Sequence, residues 1–376
     1  MHKLPVAILG ATGTVGQKFI TLLEEHPYFE IKELVASERS AGKTYTTACS
    51  WKQNAPIPRR IAEMEVRGLG DSLESPILFS GLDSSVAGDA ERRFAEAGHV
   101  VISNSKNYRM EPTVPLVIPE INPDHFSLLA HQPWAGGIVT NSNCSTMFLA
   151  MALAPLQETF GVEAVHATTL QAISGAGYPG VASYDITGNV IPYISGEEEK
   201  MEQEAQKILG TLADGRIVEA EFAVSAQCTR VPVIDGHTET LSLSLRHKAS
   251  IEEVHNVMAG FRGVPQELRL PSAPEHPILF MDQPDRPQPA RDVWLENGMA
   301  TLVGRLRSCP VLDYRMVIMG HNTVRGAAGA AVLNAETMYR LGLFGCEGSE
   351  RYDAAEMKDR AGRLDSVSIH EMACAE

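Results

Sequence analysis

Val6-Ala7-Ile8-Leu9 runs directly into Gly10-Ala11-Thr12-Gly13-Thr14-Val15-Gly16, and apolar residues then recur at Val15, Phe19, Leu22 and Leu23. The unbroken apolar run suits a strand buried on both faces, and the spacing of three and four after it suits a helix. Glycines between such a strand and helix let the backbone approach a diphosphate, and the unpaired N–H groups of the helix start supply positive potential. A plain strand-to-helix turn with no ligand is the bland alternative. Working outward, Ile31 to Ala36, Ile77 to Phe79 and His99 to Ser103 read as further strands, with a helical stretch from Ala87 to Ala97. Strands alternating with helices predict an α/β, doubly wound parallel sheet for the N-terminal part.

The second strand ends in Ala36-Ser37-Glu38-Arg39-Ser40. An acidic residue there would bind the ribose hydroxyls of NAD, whereas Ser37, Arg39 and Ser40 suit the 2′-phosphate of NADP. NADP is the favoured cofactor, with Glu38 either a ribose ligand or a solvated side chain.

Beyond Cys144 the texture changes. Ala164 to Ala172, Glu221 to Val233 and Thr238 to Arg246 read as strands, with Leu241, Leu243 and Leu245 alternating with polar residues as in an antiparallel sheet. Ile234-Asp235-Gly236 is expected as a turn joining two of them. Pro284, Pro287 and Pro289 mark a loop; strands resume at Met299 to Leu306 and Val311 to Met319, and a small-residue helix follows from Arg325 to Leu341. The tail after Gly348 is polar and carries no clear signal.

A chain of 376 residues suits two domains, and 44% hydrophobic with 21% charged residues is an ordinary globular mixture. With 47 acidic against 32 basic residues the net charge is −15, the wrong sign for non-specific attraction to nucleic acid or to an anionic membrane. Six scattered cysteines, with no C-x-x-C pair and no H-E-x-x-H, point to reduced cytosolic thiols and to no metal. The apolar run ended by Gly10 is too short for a signal peptide and no 18-residue apolar run follows, so the expected location is cytoplasmic.

Cys144 in Asn141-Ser142-Asn143-Cys144-Ser145-Thr146 falls between the strand Gly137 to Thr140 and a helix from about Ser145 to Phe160. A helix N-terminus lowers a thiol's pKa, as a nucleophile needs, yet a lone cysteine is as often a small buried hydrophobe. His237, after Asp235-Gly236 and near Arg230, is the best placed of twelve histidines to exchange a proton with it, or is a surface residue beside a turn. Glu197 and Lys200 share a helix face, as a site pair or as a solvated ion pair.

Taken together, these segments resemble the aspartate-β-semialdehyde dehydrogenase family, in its archaeal and fungal branch. The resemblance rests on Gly10 to Gly16, Ser37 to Lys43, Ser142 to Thr146, Gln171 to Gly177, Arg230 to Val233 with Gly236-His237, and His321-Asn322-Thr323 before Gly326 to Gly329. It implies Cys144 as nucleophile and His237 as acid/base. Asn143 and Gln171 would bind the substrate, Glu197 its ammonium, Arg230 its α-carboxylate, and Arg109 with Lys200 the phosphate. Gly10, Thr12, Gly13, Thr14, Val15, Gly16, Ser37, Arg39, Ser40, Ser174, Gly175 and Asn322 would hold NADP, Asn322 near the nicotinamide. The implied architecture is a Rossmann-type domain from 1–143 and about 322–376, plus an α+β catalytic and dimerisation domain from 144–321 with a largely antiparallel or mixed sheet. The implied reaction reduces L-aspartyl-4-phosphate to L-aspartate 4-semialdehyde, in biosynthesis of lysine, threonine, methionine and isoleucine.

One departure is Ala290, between Pro289 and Arg291 where the family pattern has arginine next, so that loop is expected to be reshaped. Malonyl-CoA reductase and N-acetyl-glutamyl-phosphate reductase would share the mechanism. A non-catalytic nucleotide-sensing module would explain the glycine loop but not Cys144, His237 and Arg230 together. The leucine-rich strand Thr238 to Arg246 suggests a sheet face buried between subunits of a homodimer or homotetramer.

Overall fold

The computed structural model describes residues 3–344 and 352–364; Cys346, Cys374 and the rest of the tail lie outside the described residues. β1 (Leu4–Leu9) enters the glycine loop and α1 (Thr14–Leu23) leaves it. β2 (Phe29–Ala36), β3 (Val66–Gly68), β4 (Ile77–Ser80), α2 (Ser84–Glu96), β5 (Val100–Ser103) and β6 (Gly137–Thr140) follow. The six strands are all parallel, in the order β3-β2-β1-β4-β5-β6. Alternate residues of β1 fall into two cores: Val6 and Ile8 pack with Phe19 and Phe29, Ala7 and Leu9 with Leu78 and Phe94. Burial on both faces is why the run shows no polar alternation. β3 escapes a sequence reading because three residues carry no period.

Strand order reverses between β1 and β4, which opens a crevice at their C-terminal ends. Gly10 sits there at φ +75°, where a Cβ would lie 2.7 Å from the Gly81 carbonyl oxygen; a Cβ on Gly16 would collide with the Gly10 carbonyl. The loop therefore requires glycine at both positions.

α3 (Cys144–Phe160) leads into β7 (Val162–Gln171), α4 (Glu197–Ile208), a hairpin of β8 (Thr211–Ala213) and β9 (Arg216–Val218), then β10 (Ala223–Arg230), β11 (His237–Leu245), α5 (Ile251–Ala259), β12 (Ile278–Met281), β13 (Thr301–Ser308) and β14 (Tyr314–Gly320). The second sheet is mixed, in the order β10-β7-β11-β14-β13-β12. β10 and β12 lie parallel to β7 and β13, and the other pairs are antiparallel.

Ile234-Asp235-Gly236 is therefore not a turn between neighbouring strands, because β7 lies between β10 and β11. The connection crosses the end of β7, held by Val231 N–H to the Gln171 carbonyl (3.0 Å) and Ile173 N–H to the Val233 carbonyl (2.8 Å). The leucine face of β11 is also corrected. Leu241, Leu243 and Leu245 are buried inside the subunit with Leu149, Leu153 and Leu156 of α3, while Thr240 and His166 occupy an open face.

A π-helical turn, Val324–Ala328, precedes α6 (Gly329–Arg340), whose Ala331, Val332, Ala335 and Met338 join Phe19 and Phe29 in the core of the first sheet. The tail also holds α7 (Ala354–Arg363), capped by the Asp353 side chain, with Met357 and Ala361 buried. The spacing of Met357, Ala361 and Leu364 is the signal that its polar composition hid. Among the described residues no helix is long and apolar enough to cross a membrane, and no His, Cys, Asp and Glu group could hold a metal.

Candidate active site

Asn143 caps α3, its side chain accepting from the N–H groups of Ser145 (2.9 Å) and Thr146 (3.2 Å), and this places Cys144 in the first turn. His237 opens β11 from across the second sheet, with Nε2 3.2 Å from the Cys144 Sγ. The Ala172 N–H donates to Nδ1 at 3.0 Å, so the neutral ring carries its proton on Nε2 and presents it to the sulfur. Gly175 fits beneath both groups: a Cβ there would lie 2.9 Å from Arg230 Nη1 and 3.0 Å from His237 Cε1. Arg230 Nη1 donates to the Ala172 carbonyl at 2.8 Å.

The remaining substrate candidates meet at Glu197. Its Oε1 accepts from Asn143 Nδ2 (2.7 Å) and Gln171 Nε2 (3.1 Å), and its Oε2 pairs with Lys200 at 2.8 Å. Burial works to raise this carboxyl, but Lys200 with Asn143 and Gln171 holds it below the usual carboxylate range. Glu197 is buried, so this pair is no solvated helix face. Gln171 Nε2 also donates to the Ser145 hydroxyl. Arg109 reaches the same place through a residue absent from the sequence reading: Glu204 accepts from Arg109 Nη1 (2.9 Å) and from the Asn143 N–H (2.6 Å).

Electrostatics correct one expectation. Burial, aided by Glu197, pushes the Cys144 thiol up to about 12 against the pull of Arg109, Arg230 and Lys200. Burial and Arg230 push His237 down to about 3. The resting pair is thus a thiol and a neutral imidazole, although Cys144 lies where a helix N-terminus alone would favour a thiolate, because desolvation outweighs that partial charge. Sequence reasoning also missed Glu239, fully buried two residues beyond His237 with both carboxylate oxygens unpartnered; burial and Glu197 raise it well above the usual range.

Cofactor candidates gather at the junction of the two sheets. Asn322 donates to the Ser174 hydroxyl (2.8 Å) and accepts from the Gly236 N–H (2.8 Å), tying the end of β14 to the segment beside His237. A cleft of about 490 Å³ opens alongside, lined by Thr14, Lys18, Ser174, Tyr178, Asp235 and Trp294 among others; Cys144 is not on its wall. The start of α1 has no side-chain cap, which leaves its first N–H groups for an anionic ligand, and the glycines clear the approach. These features fit a dinucleotide. Ser37 and Arg39 are exposed at the end of β2, as a 2′-phosphate site requires. The loop with Ala290 closes through an Arg286–Asp292 ion pair, leaves Ala290 exposed and still sets Pro289 against Gly236.

Comparisons with known proteins agree with this geometry. Residues 5–129 match the family model described as semialdehyde dehydrogenase, NAD binding domain, and residues 153–325 match semialdehyde dehydrogenase, dimerisation domain. The aspartate-semialdehyde dehydrogenase of Methanothermobacter thermautotrophicus is 48% identical, over 89% of this chain and 99% of that protein. That of Schizosaccharomyces pombe is also 48% identical, over 90% and 98%. The crystal structure of the Candida albicans aspartate semialdehyde dehydrogenase with NADP superposes with a TM-score of 0.82 at 46% identity, covering 89% of this chain and 98% of that one. With a cysteine and histidine in contact at a helix start, a glycine loop at a strand-order reversal and near-complete relatives at this identity, the chain belongs to the aspartate-semialdehyde dehydrogenase family.

Proposed function

We propose that this protein is an NADP-dependent, phosphorylating aspartate-semialdehyde dehydrogenase that reduces L-aspartyl-4-phosphate to L-aspartate 4-semialdehyde and phosphate. The observation that carries this reading is the 3.2 Å contact between Cys144 Sγ and His237 Nε2, ringed by Arg230, Lys200, Glu197 and Arg109. A carboxylate for an ammonium and cations for a carboxylate and a phosphate suit a substrate charged at both ends.

Cys144 Sγ attacks the acyl carbon. The C–S bond forms, the C–O bond to phosphorus breaks, and phosphate departs with that electron pair and the thiol proton. NADPH, when bound, supplies the hydride that converts the thioester to a hemithioacetal oxyanion. His237 Nε2–H hydrogen-bonds to that oxygen; as the oxyanion collapses to the aldehyde the C–S bond breaks with its electron pair on sulfur, and the thiolate takes up one proton from solvent, replacing the one that left with phosphate. Arg230 would hold the α-carboxylate, Glu197 the ammonium, and Lys200 with Arg109 the phosphate. Gly10 to Gly16 would cradle the diphosphate, Ser37, Arg39 and Ser40 the 2′-phosphate, and Ser174, Gly175 and Asn322 the nicotinamide end. Residues 1–143 with the chain from about 322 would form the cofactor domain, and 144–321 the catalytic and dimerisation domain.

The matched dimerisation domain supports an oligomer. We assign a cytoplasmic homodimer or a tetramer of dimers, built on the open face of the second sheet.

The test is a substrate panel followed by nicotinamide absorbance: aspartate semialdehyde with phosphate, malonyl-CoA, and N-acetylglutamate semialdehyde with phosphate. Turnover of the first and not the others is expected. Preferred turnover of either alternative would overturn the assignment.

A further inference from the structure

Four charged residues of α4, Glu197, Lys200, Glu204 and Lys207, recur at intervals of three and four and so fall on one side of the helix. Glu197 and Lys200 belong to the substrate site described above. Glu204 and Lys207, one and two turns further on, are both buried, and neither is a surface ion pair.

Glu204 uses its two carboxylate oxygens on two separate parts of the chain. Oε1 accepts from the Arg109 guanidinium at 2.9 Å, and Oε2 accepts from the backbone N–H of Asn143 at 2.6 Å. Asn143 is the cap of α3 and the residue before Cys144. A single carboxylate therefore spans the cation and the nucleophile's turn. Arg109 is anchored a second time, Nη2 donating to the Asn104 carbonyl at 2.7 Å, and Asn104 in turn accepts from Asn141 at 2.8 Å. Lys207 fixes the same loop from below. Its ammonium has three donors, and they go to the carbonyls of Arg109 (2.6 Å), Glu111 (2.8 Å) and Val114 (2.9 Å).

We propose that Glu204 is a positioning residue that sets the phosphate-side cation, Arg109, at a fixed distance from Cys144 by bridging Arg109 and the Asn143 N–H, with Lys207 holding the loop that carries Arg109. This rests on the reading of Arg109 as a phosphate contact. Addition of sulfur to the acyl carbon and departure of phosphate from the tetrahedral adduct need the leaving group and the attacking sulfur held in one frame, and Arg109 comes from the loop after β5 whereas Cys144 begins α3. Glu204 is the direct link between them. Its charge also offsets that of Arg109 in a buried place, so the guanidinium is kept ordered before phosphate arrives.

The bridge needs two acceptors. Glutamine has the same shape but one acceptor and one NH2, so in Glu204→Gln a donor would face either Arg109 or the Asn143 N–H. In the phosphate-consuming direction, Glu204→Gln should raise the KM for phosphate on the order of tenfold, the loss of a charge-assisted contact, and lower kcat, with the KM for aspartate semialdehyde little changed. A merely structural role would lower the melting temperature and leave both constants of the folded enzyme as they were, and that result would overturn the proposal. Arg109→Ala and the double variant are measured beside it. If Arg109→Ala leaves the phosphate constant unchanged, the reading of Arg109 fails. If it raises that constant and Glu204→Gln adds its full effect again in the Arg109→Ala background, the two act independently and the coupling is wrong. Should Glu204→Gln not fold, Lys207→Gln carries the test: a selective rise in the phosphate constant supports the frame, and equal changes in both constants contradict it.

Discussion

Cys144 and His237 rest in contact with their protons retained, since burial drives the thiol up to about 12 and the imidazole down to about 3. Alkylation of Cys144 by iodoacetamide, followed by mass spectrometry in the ligand-free protein, should be slow at pH 7 and still rising above pH ~9. A rate that levels off near neutrality would reveal a preformed thiolate. The substrate's two ends should separate in the kinetics. Arg230→Ala should raise the KM for aspartate semialdehyde by roughly 10- to 150-fold with a smaller effect on phosphate, and Lys200→Ala the reverse; equal losses in both would reduce the clamp to a general electrostatic effect. From position alone Cys144 and Glu197 were each legible only as one of two readings, and the role of Arg230 came only with the family resemblance. Glu204 was not, because its burial depends on Arg109 and on the Asn143 N–H, both distant in sequence, while its neighbours spell an ordinary charged helix.

At the scale of elements, glycine positions govern how closely backbone segments meet. The π turn brings Gly326 against the start of α3, where a Cβ would lie 2.9 Å from the Cys144 Cβ. Gly326→Ala must displace that turn, and kcat should fall roughly tenfold to a hundredfold while NADP binding, measured by fluorescence titration, changes less. Unchanged kcat would show that the contact relaxes without moving the sulfur. At the end of β2, Arg39→Ala should weaken NADP much more than NAD, since only NADP carries the 2′-phosphate; equal losses would make Arg39 a contact to another part of the nucleotide. β1 and α3 were readable because burial on all sides gives long apolar runs, and α1 because its one buried face recurs at intervals of three and four. β3, β8 and β9 have three residues each, and the crossing of Val231 to Gly236 over β7 is a tertiary fact that local turn chemistry cannot display.

The whole molecule is two sheets joined where Asn322, Ser174 and Gly236 meet, with α6 returning to pack on the first sheet. The family resemblance implied that return by grouping the chain from about 322 with the first domain, whereas the leucines of β11 misled, since periodicity shows that a face is buried but not against what. Burial gives the fold a pH signature of defined sign. His237 and His321 are depressed to about 3 and about 4, so unfolded chains bind protons that the fold does not; stability is fully present above about pH 6.5 and is lost as pH falls. Glu239 is raised, so its contribution is present below about pH 4.5 and is lost as pH rises. Urea midpoints across pH 4 to 8 should therefore fall less on the acid side in His321→Gln and less on the alkaline side in Glu239→Gln; parallel curves for variants and parent would contradict both assignments. A Cys144 hemithioacetal that gives up hydride to become a thioester, across the junction of the sheets, should be caught in a single turnover with NADP and aspartate semialdehyde in the absence of phosphate. A burst of one NADPH per active site is expected, with an aspartyl group on the Cys144 peptide that phosphate then removes. No burst without phosphate, or an acyl group on any other residue, would contradict the account.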